Sequence, residues 1–574
     1  MKHLFFTIMA CVAFTAGLFA QLSVPGMPLS EKFSINNYSD TIEAPLPPAD
    51  VEARAAVAAG DEEPGRENGL PIVAESIKVN GSMDNCGSWT RMTNGDLVWQ
   101  ATFTSPGAGA VAVVFSKFRL PRNAELYVYN TDKSQMLGAF TYLNNNELNM
   151  FNTAFVEGET LTVELNLYNP KSFDIELEVD EIVHVYSGNG TGARMFSSRS
   201  VVDECFVSVN CSPEGDNWQS EKRGVAQMFF RIGVGNSWTY CSGSLIGNTR
   251  RDLTPYFLTA FHCGGPSTAA DKAQTIFYFE YEKMGCRTGD TIKSDSRTLR
   301  GAEMVASSNF NGGTDMLLLK IQQDPPLDWD VYWNGWDFTK NQSPSGVTIS
   351  HPAPGGGTSG IAYSYKRIST YTVALVPYYE PNNGYSGKLH TNFGEYGEAS
   401  GLLYGYWEVQ WSATPNGHSV TAGGSSGGPL FNNKKQIVGT LTGGGSFCSY
   451  KLAKDFYGRF DMQWDYFKEA KNQLKYWLDP LGVSLGTLNG YDRSVIATDA
   501  TTIGNTSLLL SWQKRGDMLI LDWQGVDGAH AEVFSISGQL IDAKIFHAGE
   551  NQWLLPQGTV YIVRVGGEAV KVQL

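Results

Sequence analysis

Basic clusters are missing from this 574-residue chain, in which 43 Lys and Arg are outnumbered by 58 Asp and Glu for a formal net charge of −15. A phosphate backbone would find no electrostatic footprint, so nucleic acid is excluded as an expected partner. Long apolar runs are also scarce. The one that opens the chain, MKHLFFTIMACVAFTAGLFA, is too short to cross a bilayer. With basic Lys2 and His3 in front and small Ala20 before Gln21, residues 1–20 read as an export signal. The apolar run before Cys11 is too brief for a lipidation site. Nothing later spans a membrane, so the mature protein is expected to have no transmembrane segment. No CxxC pair and no His/Cys spacing suits zinc, so no metal and no cofactor is expected. Gly355 to Gly360 lacks the lysine of a phosphate-binding loop. His351, His390, His418, His530 and His547 stand in unrelated contexts without ligand spacing.

The chain does carry an uneven distribution of cysteine. Cys11 leaves with the signal, and Cys205, Cys211, Cys241, Cys263, Cys286 and Cys448 crowd one region. An even set in an exported chain reads as three disulfides. Cys86 lies well upstream and implies a different, separable unit. The length itself is too great for one core and suggests three to four domains.

Texture supplies the boundaries. Residues 21–69, rich in Ala, Pro, Glu and Asp, read as a flexible leader. Residues 70–199 hold short β-branched and aromatic segments such as LVWQATFTS, AVAVVFSKF and TLTVELNLY, the pattern of a β-sandwich. The sandwich ends in SGNGTGARMFSSRS, a polar joint with Arg194 and Arg199 open to cleavage. Its place before the next unit suggests a pro-domain that assists folding or covers a site, with a binding module as the alternative. Residues 200–491 alternate short apolar runs with glycine-rich turns and fit two six-stranded β-barrels with a cleft between them. Leu474, Trp477 and Leu478 recur at helical spacing before Pro480 and predict a short closing helix. Residues 492–574 return to alternating strands, a second β-sandwich.

The most informative stretch is TAGGSSGGPL, Thr421 to Leu430. A serine flanked by glycines can present its hydroxyl from a tight turn beside backbone N–H groups free to hold an oxyanion, which makes Ser426 the candidate nucleophile. YFLTAFHC, Tyr256 to Cys263, ends an apolar strand in His262, a fixed imidazole suited to a general base. TDMLLLKI, Thr314 to Ile321, heads an apolar run with Asp315, whose carboxylate would be carried inward to orient that imidazole. A plain Gly/Ser loop, a core histidine or a strand-capping aspartate would each explain one residue. The three contexts together point to nucleophilic catalysis.

These motifs, with CSGSLI at Cys241, YWNGWD at Tyr332, KDFYGRF at Lys454 and YWLDP at Tyr476, resemble those of chymotrypsin-fold serine endopeptidases and, more narrowly, the bacterial lysyl endopeptidases. The resemblance implies an all-β fold, with a chymotrypsin-like double β-barrel flanked by the two sandwiches. It gives His262, Asp315 and Ser426 the triad roles and Gly424 and Ser426 the oxyanion hole. It places Thr442, Gly443 and Gly444 against substrate, and it pairs Cys205–Cys448, Cys211–Cys286 and Cys241–Cys263. Val420 stands six residues before Ser426, where trypsin-like enzymes carry an acid, so a trypsin-type pocket is not supported. The lysyl endopeptidases instead use an aspartate in a D-x-Y-G-R context, here Asp455, which would bind a P1 lysine ammonium. Surface pairing of Asp455 with Lys451, Lys454 or Arg459 is the plainer alternative.

The chain also departs from that family. Thr442 stands where the family has a histidine. The tryptophan that stacks on the catalytic histidine has no secure equivalent, with Tyr396, Phe393 and Trp407 as options. Ser425 stands where chymotrypsin-like zymogens keep the aspartate that pairs with a new N-terminus, so latency is expected to come from the pro-domain. ISGQLI, LPQGTVYIVRV and EAVKVQL in the last unit resemble the sorting domain of the type IX secretion system. That resemblance implies secretion machinery as a partner and a secreted or cell-surface product. The expected function is hydrolysis of proteins and peptides after lysine, with a non-catalytic surface protein or a protease of broader Lys/Arg specificity as alternatives.

Overall fold

A computed structural model describes residues 26–35, 41–46, 72–186, 205–353, 365–372, 376–377, 402, 404–493 and 510–573, apart from short gaps at 171–173, 233–235, 287–289, 291–292, 294–296, 327–328, 447, 485, 516–517, 525–526, 536–539, 556–559 and 566–567. Residues 1–20, read as an export signal, the 187–200 joint and most of the 354–401 segment, with Gly355 to Gly360, His390, Phe393 and Tyr396, lie outside the described residues. The fold is all-β. Among the described residues no helix is long and apolar enough to cross a membrane.

The N-terminal unit is two packed sheets. One is built from β1 (Thr41–Glu43), β3 (Ser88–Arg91), β4 (Leu97–Thr104), β6 (Ala124–Asn130), β7 (Met136–Phe140) and β10 (Thr160–Leu167). The other joins β2 (Ala74–Ser82), β11 (Glu176–Tyr186) and β5 (Ala108–Arg119), with β8 (Phe151–Asn152) and β9 (Val156–Glu157) at its edge. The two-residue period shows in β4 and β10. Trp99, Ala101, Phe103, Leu161, Val163 and Leu165 enter the core, while Gln100 and Glu164 meet as register partners on the opposite face.

That opposite face corrects one expectation. Residues 26–35 and 41–46, part of the stretch expected to be a flexible leader, are held on the sandwich. Leu29–Lys32 form a helical turn with Leu29 and Ser30 buried, and β1 pairs in parallel with β4. Glu164, fully buried, accepts from Ser30 N at 3.0 Å, Ser30 Oγ at 2.5 Å, Tyr129 Oη at 2.9 Å and Gln100 Nε2 at 3.1 Å. A buried carboxylate needs such donors, and composition of the leader gave no sign of it.

His184 in β11 is 2 % exposed, bonds Ser105 Oγ through Nδ1 at 2.8 Å and packs edge-on to Tyr186. Glu75, its partner on β2, takes a hydrogen bond from Ser237. Burial pushes the His184 pKa down from 6.5 to about 4. The unfolded chain therefore binds the extra proton first, so this contribution is present above pH 6.5 and is lost as pH falls toward 4. Its size is about 3 kcal/mol. The N-terminal unit is expected to melt earlier as pH falls through that window, and His184→Gln should flatten the dependence in calorimetric scans.

The central unit contains two barrels. In the first, β13 (Val225–Arg231), β14 (Ser237–Leu245), β15 (Tyr256–Ala260), β16 (Ile276–Tyr278) and β19 (Met316–Ile321) close through β17 (Thr298–Arg300) and β18 (Ala302–Ser308). Only Gly301 separates the last two, which act as one bent strand pairing β16 at one end and β19 at the other. Six strand positions thus form a closed barrel, with the start of β14 running past β15 as a strand end that β15 does not pair. The second comprises β22 (Gly346–Ser350), β23 (Arg367–Tyr371), β25 (Tyr406–Gln410), β26 (Pro429–Asn432), β27 (Gln436–Gly444) and β28 (Lys454–Arg459). It closes where Ser412 N, just past β25, donates to Thr370 O at 2.9 Å. This is the chymotrypsin-like double barrel. A helix at Phe460–Asp465, not anticipated, and a short one at Lys475–Leu478 pack Phe460, Trp464, Leu474 and Leu478 into the core shared between the barrels.

The N-terminal unit is not separate from this structure. Strand β2 pairs with the start of β14, Ser237 opposite Glu75 and Trp238 opposite Ala74. The C-terminal unit is a sandwich of three strands on four, closed over Leu521, Trp523, Val533, Trp553, Val563 and Val572.

Candidate active site

Register brings the histidine and the aspartate together. Antiparallel pairing of β15 with β19 sets Ala260 opposite Met316, so the residues just beyond each strand, His262 and Asp315, meet at one barrel end. Asp315 Oδ2 lies 2.7 Å from His262 Nδ1, and Oδ1 accepts from His262 N at 3.0 Å. Asp315 is fully buried and holds φ at +53°, a left-handed conformation fixed by Phe261 N donating to its carbonyl at 3.0 Å. Both carboxylate oxygens are thereby committed to one histidine.

The serine turn is seated on β14 and β15. Ser426 O accepts from Ser242 N in β14 at 2.8 Å, and Ser242 Oγ donates to Gly424 O at 2.8 Å. Gly427 holds φ at +75°, and a Cβ there would fall 2.0 Å from Thr259 Oγ1 and 2.8 Å from Ala260 N. Only glycine allows the turn to sit this close to the strand that leads to His262. Within the turn, Ser425 N bonds Ala422 O, Gly427 N bonds Leu441 O and Gly428 N bonds Ser425 O. The N–H groups of Gly424 and Ser426 take no part in those bonds. Ser425 is buried, with its Oγ accepting from Ser350 Oγ at 3.0 Å and Ala422 N at 3.3 Å.

Asp455 is in β28, fully buried, opposite Gly444 of β27. Its Oδ2 accepts from Trp411 Nε1 at 2.5 Å, Ser446 Oγ at 2.5 Å and Thr421 Oγ1 at 2.7 Å, and its Oδ1 accepts from Ser446 N at 3.1 Å. Burial pushes its pKa up, and those hydrogen bonds pull part of the way back. The surface-pairing alternative does not hold. Lys454 pairs with Glu408, and Arg459 pairs with Asp461 at 2.8 Å. Sequence reading missed Trp411, Thr421 and Ser446. Thr421, beside Val420 and five residues before Ser426, was the one available signal. A Cβ at Gly444 would fall 2.1 Å from Asp455 Oδ1, so that position keeps the carboxylate approachable. Thr442 is buried and Gly443 half-exposed on the same strand.

Trp407 belongs to the second barrel's core, with Nε1 on Val438 O at 2.9 Å and the Arg459 guanidinium 4.3 Å above its ring. The structure joins Cys205–Cys448, Cys211–Cys286 and Cys241–Cys263. Cys241, Cys263 and His262 lie close together, but the disulfide consumes both thiols as metal ligands. Cys86 stays outside the disulfides, buried, with its Sγ on Ser82 O at 3.2 Å.

Comparison with known proteins gives a family model, "Lysyl endopeptidase, C-terminal domain", matching residues 201–458. A lysyl endopeptidase of Pseudomonas aeruginosa is 26% identical over 317 residues, which cover 53% of this chain and 60% of that relative's length. Among solved structures, a thermostable serine protease from an extremophile is 13% identical, with a TM-score of 0.27 and coverage of 42% of this chain and 92% of that one. An HtrA-type protease is 14% identical, with a TM-score of 0.24 and coverage of 42% and 58%. The fold assignment rests on the strand pairing above. The family match and the relative support a serine peptidase of the lysyl endopeptidase type over the central part of the chain.

Proposed function

We propose that the protein is an exported serine endopeptidase that hydrolyses peptide bonds on the carboxyl side of lysine. The observation that carries this reading is the Asp315–His262 pair, locked by both carboxylate oxygens beside the turn that presents Ser426. Ser426 Oγ attacks the scissile carbonyl carbon and His262 Nε2 takes its proton, while Asp315 stabilises the imidazolium that results. The oxyanion is held by the N–H groups of Gly424 and Ser426. The C–N bond breaks as His262 returns the proton to the leaving amine. Water then repeats the cycle to release the acid and restore Ser426.

Asp455 supplies the lysine preference. A carboxylate with no exposed surface, braced by neutral donors, gains an ammonium partner only from a side chain long enough to reach it, and a bulky guanidinium fits that geometry poorly. Residues 1–20 direct export, residues 70–199 form a pro-domain cleaved in the 187–199 joint, and residues 492–574 engage the secretion machinery. The processed protein, given peptides that differ only in Lys or Arg at P1, is expected to favour lysine by about 100-fold in kcat/KM, on the order that a shaped pocket gives between side chains of different size. Equal cleavage after both would remove the Asp455 assignment and leave a broader protease.

A further inference from the structure

The N-terminal sandwich and the first barrel share one core. Phe229, Trp238, Tyr240, Tyr278, Tyr281 and Tyr365 of the central unit are buried in the same cluster as the sandwich interior. Phe155 of the sandwich meets Phe229 edge-on, with centroids 5.4 Å apart, and its N–H donates to Tyr278 Oη at 3.3 Å. The backbone continues the contact, with Val73 N on Trp238 O and Ser76 N on Asn236 O, both at 2.9 Å. Polar groups seal the edge. Asn152 Nδ2 reaches Gln274 O at 2.8 Å, the buried Arg300 guanidinium lies 3.9 Å over the Phe151 ring, and Arg231 pairs with Glu181 at 3.2 Å.

Removal of the sandwich would open a sheet edge and bare aromatic surface. Six aromatic side chains carry on the order of 1,000 Å² between them. Exposing even half of that equals the largest apolar patches of monomeric proteins, about 300–600 Å². The contact also leads to the site. Phe155 touches Phe229, Phe229 packs on Tyr240 with centroids 5.5 Å apart, and the Tyr240 ring fills the space where a Cβ on Gly424 would stand, 2.2 Å from Cε2.

We infer that residues 72–186 stay docked as a non-covalent subunit of the active enzyme after the joint is cut, and that through Phe229 and Tyr240 they hold the Gly424 turn in its working shape. This rests on the reading of Ser426 as nucleophile, and Phe155 acts in it as a positioning residue.

The test is to place a recognition site for a protease of unrelated specificity within 187–200 of the full chain and cut it. The nicked protein is then passed over a sizing column at moderate salt, and Ser426 is labelled with a fluorophosphonate. The two fragments are expected to co-elute until denaturant is added, and the nicked complex should take up the label. Phe155→Ala is expected to loosen the complex and lower kcat about tenfold with KM little changed, because only the turn is disturbed. Separation under native conditions with full labelling of the barrel alone would overturn the inference. So would a nicked complex that accepts label only after the sandwich leaves, the behaviour of an occluding inhibitor. Failure to label in any form would remove the nucleophile assignment instead, and co-elution would still decide whether the sandwich is retained.

Discussion

Ser426→Ala is expected to lower kcat by about 10⁶-fold, and His262→Ala by a similar factor, with the double variant no worse than either alone. In the proposed mechanism Ser426 and His262 serve one shared step, so removing either one is expected to abolish it. Asp315→Asn tests the geometry more sharply. Asp315 accepts from His262 Nδ1 with one oxygen and from His262 N with the other. An asparagine has one acceptor for these two donors. If its oxygen keeps the backbone N–H, its amide faces Nδ1 and forces the imidazole into the tautomer that carries its proton on Nε2, where a base must be empty. A loss of about 10⁴-fold in kcat is expected, with KM nearly unchanged. Single-turnover measurements on a lysyl ester would separate this from a loss of substrate binding. Wild-type rates in Asp315→Asn would show that the pair serves the fold alone.

The meeting of His262 with Asp315 was legible because each adjoins an apolar run, and a buried strand holds the residues at its ends in place. The Ala260–Met316 register then needs only the residues just beyond two strands to meet. The shell around Asp455 was not legible. Trp411, Thr421 and Ser446 come from three loops whose convergence depends on barrel closure, and no local spacing encodes that. Residues 26–35 and 41–46 of the leader were misread for a related reason. The leader's composition is that of a disordered segment, yet Ser30 finds a buried carboxylate 134 positions away. The continuity of β2 with β14 was hidden as well, since a domain boundary inferred from texture assumes that sheets end where composition changes. Cys86 illustrates the point, for it lies in a distinct sandwich whose core the first barrel nevertheless shares.

Asp455→Asn is expected to reduce kcat/KM for lysyl peptides by about 10²- to 10⁴-fold, the cost of leaving a desolvated ammonium without its counter-charge. Four donors converge on the carboxylate from Trp411, Thr421 and Ser446. An asparagine could satisfy them with one oxygen only, so its amide would face a donor and the pocket floor would loosen as well. Cleavage after arginine should not rise in compensation. The pH dependence provides an independent check. Because burial raises the Asp455 pKa, its charge is lost at a higher pH than for an ordinary aspartate as acid is added. The ratio of kcat/KM for lysine over norleucine at P1 cancels the general base, which both substrates share. That ratio should fall toward unity on acidification through the raised pKa. Thr421→Val removes a hydrogen bond that favours the charged carboxylate, so it should move the fall to still higher pH while leaving the norleucine rate intact. A ratio that stays flat in acid, or one that Thr421→Val does not shift, would mean that lysine is recognised by some group other than Asp455.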